Sequence, residues 1–182
     1  MVPILFATGF EEIEALAPAD ILRRAGVEVR LVGVTGEKVT GSHGIEVTMD
    51  TVIDALNYSD VDAVILPGGL PGTTNLEASE AVQKLIDHCV AEGKLVAAIC
   101  AAPSILAHKG LLASREATAF PNFQKDLVDG GAHLSREYVV QDGNFLTARG
   151  MGVATQFGLK LAELLADRET SEKIRASIQW EG

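Results

Sequence analysis

"KLVAAICAAPSILAHKG", residues 94–110, joins a continuous apolar run, a bend of small residues and a second apolar segment that ends before Gly110. The run 94–100 does not alternate, so it reads as a strand covered on both faces, and the segment after it reads as a helix. Runs of the same kind, bounded by Gly, Pro or Asp, recur at "VPILFA" (2–7), "EVRLVGV" (28–34) and "DAVILP" (62–67). Amphipathic segments at 11–25, 75–92, 101–108 and 153–166 separate them. Strands alternating with helices imply right-handed βαβ crossovers and a mostly parallel sheet. The expectation is a single doubly wound α/β domain over residues 1–182. "GEKVTGSHGIEVTM" (36–49) and "REYVVQDGNFLTAR" (136–149) read as hairpin insertions, the second turning at Asp142-Gly143.

Composition narrows the function classes. The chain has 182 residues, 47% hydrophobic and 22% charged, as ordinary globular proteins do. No run approaches the roughly 18 apolar residues of a membrane span, and "MVPILFATGF" lacks the basic start of a secretory signal. Two cysteines do not make a disulfide framework, which points to a reducing cytoplasm. The net charge of −10 does not indicate a nucleic-acid partner, because phosphate affinity comes from clustered Lys and Arg.

An open parallel sheet places its binding groups beyond the carboxyl ends of its strands. Three loops meet that condition: "TGFEE" (8–12), "PGGLPG" (67–72) and "CAAPS" (100–104). In the first, Glu11, Glu12 and Glu14 open a helix, and winding residues 10–25 at 100° per residue separates them. Phe10, Ala17, Ile21 and Ala25 form an apolar stripe flanked by Ile13 and Leu22, with Glu14 at its centre. Glu12 falls on the opposite side near Arg23, and Glu11 lies at an edge. Glu11 and Glu12 read as ordinary first-turn charges, and Thr8 with Glu11 has capping-box spacing. Glu14 is different: a buried carboxyl tends to keep its proton, so it is either a hydrogen-bonded core residue or a group held for acid–base work. Pro18 cannot donate to the carbonyl of Glu14, which predicts a kink.

Cys100 stands at the bend between strand and helix among Ala98, Ala101 and Ala102. Hydrolases present their nucleophile on such an elbow. A helix N-terminus would lower its pKa, and the Ala101 amide would face a developing oxyanion. Cys89, mid-helix, reads as core or interface filler. Gly68 and Gly69 allow backbone amides to converge on an anion, without the glycine order or the lysine of a nucleotide loop. His88, His108 and His133 read as surface or satisfied histidines. Arg149 and Gly150 read as a turn and cap, and no spacing suggests a metal set.

"GFEEIEA", "AVILPGGLPG", "VAAICAAPSIL" and "TARGMGVATQFGLKLAELL" resemble the ThiJ/PfpI superfamily, in the branch of the parkinsonism-associated deglycase and its bacterial YajL-type relatives. The resemblance runs from about residue 3 to about residue 170. It implies a flavodoxin-like α/β sandwich, usually homodimeric and without a cofactor. It also implies an easily oxidised cysteine hydrogen-bonded by a protonated glutamate, roles that fall on Cys100 and Glu14, with Gly68, Gly69 and Ala101 as the amide cradle. Implied activities are conversion of methylglyoxal to lactate and repair of glycated groups, beside chaperone and oxidative-stress roles. Two positions depart from relatives. Ala101 stands where the peptidase-like branch has His, and Phe120 where many relatives place a His before a Pro. His43 stands where relatives carry an Arg that reaches across the dimer. Phe120 and His43 are therefore candidate pocket residues. The resulting expectation is a glyoxalase or deglycase, with a redox sensor or holdase chaperone as the alternative and a thiol peptidase further behind.

Overall fold

A computed structural model describes residues 1–181. Its elements run β1 (Val2–Phe6), α1 (Glu12–Arg24), β2 (Val29–Gly33), β3 (Lys38–Thr40), β4 (Glu46–Thr48), β5 (Thr51–Val52), β6 (Ala63–Leu66), α2 (Gly72–Ala78), α3 (Glu80–Ala91), β7 (Leu95–Ile99), α4 (Pro103–His108), β8 (Glu116–Ala117), α5 (Gln124–Asp129), β9 (His133–Leu134), β10 (Val139–Asp142), β11 (Phe145–Ala148), α6 (Ala154–Leu165) and α7 (Arg168–Ser177). Seven strands form the central sheet in the order β10-β11-β7-β6-β1-β2-β5. All neighbours are parallel except β10 and β11. This is the mostly parallel, doubly wound sandwich that the apolar runs predict.

Strand periodicity divides the core into two layers. Ile4, Phe6, Ile65, Ala97, Ile99 and Leu146 face the α1, α6 and α7 side, where Phe10, Leu22, Phe157 and Leu161 meet them. Leu5, Val64, Leu66, Val96 and Ala98 face Leu76, Val82, Leu85, Ile86 and Ile105 on the other side. Cys89 is fully buried in this second layer, as filler should be, and burial pushes its thiol up to about 11.

Three elements differ from expectation. The hairpin at 38–48 is a separate ribbon, but the one at 139–148 is no insertion: β11 lies beside β7 inside the main sheet. The segment 75–92 breaks into α2 and α3 at Ser79, whose side chain accepts the Val82 amide and caps the second helix. Thr8 and Glu11 form no capping box; Glu11 caps α1 without a side-chain hydrogen bond, and Thr8 pairs with Thr35 instead. No helix among the described residues is long and apolar enough to cross a membrane.

The connection from β1 leads to β2 on one side of the sheet, and that from β6 leads to β7 on the other. The chain order thus reverses between β1 and β6, where open α/β sheets bind ligands. The loops leaving these strands interlock: Glu11 N–H donates to Gly68 O at 2.9 Å, and Gly72 N–H to Gly9 O at 3.1 Å.

Candidate active site

Cys100 is the first residue beyond β7, and its φ is 66°. Its N–H donates to Ala148 O at 2.8 Å, continuing the β7–β11 ladder, and its carbonyl accepts the Phe120 N–H at 2.9 Å. Both backbone groups are thus committed, and they hold a non-glycine residue in the left-handed region. Such strain, about 1–3 kcal/mol, persists only where the surroundings impose it. Ala98, Ala101 and Ala102 are buried against the bend and leave no space for larger side chains. The cysteine itself is half-buried.

Glu14 reaches the same place from α1. It is 0% exposed, as its position on the apolar stripe requires. Oε2 accepts the Gly68 N–H at 3.0 Å. Oε1 is buried without a hydrogen-bond partner of ordinary geometry. That oxygen and the Cys100 sulfur border one small space: a methyl group built on Gly150 would lie 3.7 Å from Oε1 and 3.8 Å from Sγ. Gly68 lies between the two residues, where a Cβ would come within 2.6 Å of both Cys100 Cβ and Glu14 Oε2. Only glycine fits there. Gly69, at φ 89°, lies against the backbone of Glu11 and Phe10. Its amide and that of Ala101 are aimed at the sulfur.

Burial raises the Glu14 carboxyl to about 7, although hydrogen bonding with Cys100 and the Gly68 amide opposes the shift. Burial, followed by the charge and hydrogen bond of Glu14, pushes the Cys100 thiol up to about 12. This corrects the expectation of a pKa lowered by a helix terminus. α4 begins only at Pro103 and is 6 residues long, so the amides of Ala101 and Gly69 favour the thiolate without overcoming burial and a facing carboxylate. The two groups titrate as a pair: the carboxyl gives up its proton first, and the thiol keeps its own near neutrality. Gly68 also departs from its expected part: its amide serves Glu14 rather than an oxyanion.

Glu12 stands in the first turn of α1 as its reading required, but the side of the helix opposite the apolar stripe is covered. It is 3% exposed and lies beneath the loop of the β3–β4 hairpin. Oε1 accepts the His43 amide at 2.8 Å, and Oε2 lies 3.0 Å from His43 Nδ1. Gly41 packs directly against its carboxyl. Burial alone would raise Glu12, but the His43 side chain and the amides of His43 and Ile45 outweigh it and hold the carboxyl below its usual range. His43 is correspondingly raised, first by that hydrogen bond and then by the charges of Glu11 and Glu12. Within one chain it is held against α1. Glu11, Glu12 and His43 bring ligating atoms within 4.8 Å of one another, a grouping their spacing did not reveal and which hydrogen bonding accounts for.

Phe120, 43% exposed, lies 3.4 Å from the methyl position on Gly150, across that position from the sulfur and the Glu14 carboxyl. Gly150 was read as a turn and cap; the adjacency of β11 and β7 carries it to the Cys100 sulfur. Arg149, its neighbour, lies over the Tyr138 ring at 4.7 Å and donates to Thr118 Oγ1 at 3.3 Å. His108 pairs with Glu77 at 2.6 Å, and His88 lies 3.4 Å from Lys94 Nζ. His133 is on β9 rather than in a loop. Ile13, placed beside the buried stripe, is instead 48% exposed.

Known proteins resemble this chain along most of its length. The DJ-1/PfpI family profile matches residues 1–164. Protein dj-1beta of Drosophila melanogaster is 38% identical over 176 residues, 96% of this chain and 94% of that protein. A protein named deglycase from Pyrococcus horikoshii is 33% identical over 148 residues, 80% of this chain and 89% of its own. The crystal structure of Drosophila DJ-1beta superposes with a TM-score of 0.93 at 37% identity, covering 98% of this chain and 96% of that one. The chain belongs to the DJ-1/PfpI family.

Proposed function

We propose that the chain is a cysteine-dependent, cofactor-independent glyoxalase or deglycase acting on methylglyoxal-type 2-oxoaldehydes or glycated groups. The observation that carries this reading is the fully buried Glu14 carboxyl, whose Oε1 borders the same small space as the elbow sulfur of Cys100. A carboxyl raised to about 7 is half ionised near neutrality, as an efficient proton carrier should be. The Cys100 sulfur bonds to the aldehyde carbon, and the thiol proton passes through Glu14 to the former aldehyde oxygen. Glu14 then removes the hydrogen from that carbon and returns a proton to the neighbouring ketone carbon, while the hydroxyl proton on the first carbon passes to the ketone oxygen, leaving a thioester beside a new hydroxyl. The first carbon is oxidised and the second reduced, with no outside electron carrier. The amides of Ala101 and Gly69 stabilise the oxyanion, and water hydrolyses the thioester to a 2-hydroxy acid and the free thiol. Lactate formed from methylglyoxal by purified protein tests this. Cys100→Ser should abolish it, and Glu14→Gln should lower the rate by about 10²–10⁴-fold. Equal rates for the parent and Cys100→Ser would end the proposal.

Phe120 favours a second reading, a redox sensor or holdase, because a phenyl ring offers the sulfur no proton acceptor where relatives can supply histidine. Cys100 is half-buried whereas Cys89 is buried, so mild peroxide should add oxygen to Cys100. Mass spectrometry showing oxidation at Cys89 instead would refute that selectivity. A thiol peptidase has less support, with Ala101 beside the nucleophile. The exposed Ile13 and Ile45 support a homodimer, and two unpaired cysteines support a cytoplasmic location. Sedimentation and cell fractionation test these two points.

A further inference from the structure

Gly150 separates two parts of one surface. On one side lie the Cys100 sulfur and Glu14 Oε1; on the other is a mainly apolar hollow lined by Phe120, Pro121, Tyr138, Met151 and Val153, with Arg149 also on its wall. Phe120, Tyr138 and Met151 are large side chains left 43%, 55% and 53% exposed, and they cluster at the candidate nucleophile. Gly150 itself is buried, and the place a Cβ would occupy is in van der Waals contact with Phe120 Cδ2 at 3.4 Å as well as with the sulfur and carboxyl oxygen. Any side chain here would fill the passage between nucleophile and hollow. A small substrate bonded at Sγ must project its substituent away from the polar amides of Gly69 and Ala101, and the passage over Gly150 leads to an apolar lining.

We infer that Gly150 and Phe120 determine specificity, and that the site takes 2-oxoaldehydes bearing a bulky apolar substituent, aryl or branched alkyl, in preference to methylglyoxal. This rests on the catalytic reading of Cys100 and Glu14 and adds to it the identity of the substrate's second half. The substituent stacks on the Phe120 ring and covers Met151 and Val153, while the aldehyde carbon stays at the sulfur. Apolar pockets discriminate by roughly 10–200-fold per methylene-sized step when the fit is good. A phenyl group in place of methyl should therefore gain at least about tenfold through the hollow.

The test compares kcat/KM for phenylglyoxal and methylglyoxal across the parent, Gly150→Val and Phe120→Ser. The phenylglyoxal-to-methylglyoxal ratio should fall about tenfold or more in both variants. Phe120→Ser keeps the backbone hydrogen bond to Cys100, so it guards against a folding defect in Gly150→Val. A second readout needs no turnover: the rate of Cys100 alkylation by phenacyl bromide relative to iodoacetamide. Normalised to a free thiol, this ratio should exceed unity by about tenfold in the parent and fall toward unity in both variants. Cysteine-dependent turnover of both aldehydes at a ratio that neither variant alters, with an alkylation ratio near unity, overturns the inference while leaving the catalytic reading intact. If neither aldehyde is consumed but the alkylation ratio behaves as stated, the catalytic reading falls and the apolar subsite stands.

Discussion

Replacing Glu14 by glutamine should make the folded protein more stable above neutral pH while removing its chemistry. Glu14 ionises near 4.5 when exposed and at about 7 when folded. Below pH 4.5 the carboxyl is protonated in both states and affects nothing. Between pH 4.5 and 7 the unfolded chain releases the proton while the native state retains it, so native stability falls as pH rises. Above 7 the penalty is constant. A difference of about 2.5 units at 1.36 kcal/mol each is about 3 kcal/mol. For a chain of this length that is roughly 6–12 °C in the melting midpoint. Glutamine fills the same space, can accept the Gly68 amide and never ionises. The stability of Glu14→Gln minus that of the parent should thus climb by about 3 kcal/mol from pH 4.5 to 7.5 and then level off, whatever its starting value. Urea unfolding at half-unit steps from pH 4 to 8, with equal slopes required of the two proteins, measures it. Groups away from the site cancel in the difference. A flat difference, or one that declines with pH, would refute the account of Glu14 as a buried acid with a raised pKa.

The same substitution removes the charge and acceptor facing Cys100, so the thiol should titrate below about 12; alkylation rate against pH will show whether the curve moves down. Gly68→Ala places a methyl within 2.6 Å of Cys100 Cβ and Glu14 Oε2, and should destabilise by about 1–3 kcal/mol and abolish lactate formation, both absent if the loop can yield. His43→Ala removes the partner of buried Glu12. The folded Glu12 carboxyl lies below its exposed value and its contribution is lost as pH falls through the folded pKa. The folded His43 lies above its exposed value and its contribution is lost as pH rises through the folded pKa. The destabilisation should therefore be greatest between those two limits and shrink on either side, which denaturation at several pH values will report.

The strands were legible because strands covered on both faces must be apolar at every position, and "VPILF", "AVIL" and "LVAAI" are. Helical phase found Glu14 for the same kind of reason, since the stripe around it had to face the sheet. Phase failed for Glu12 because it reports which side of a helix a residue occupies, not what covers that side. The covering loop comes from the β3–β4 hairpin, remote in sequence. The Cys100 elbow could be read locally, yet its thiol was expected to ionise easily. The group that prevents this arrives from α1 and has no mark in the sequence around the cysteine. Gly150 was read only as a turn and cap for a topological reason: taking residues 136–149 as an insertion kept β11 away from β7, and with it the glycine that follows. Ser79 was different, since a serine followed by Glu80 is a recognisable helix start that the longer apolar pattern obscured.

The left-handed backbone at Cys100 has a consequence for how this chain varies over generations. Glycine would occupy φ 66° without strain and would vacate no large volume, so it is the replacement that folding alone would favour. A lineage released from the need for a thiol here should drift to glycine and gain thermal resistance as it does so. A cysteine kept in that conformation is what selection for the proposed chemistry of its sulfur would leave behind.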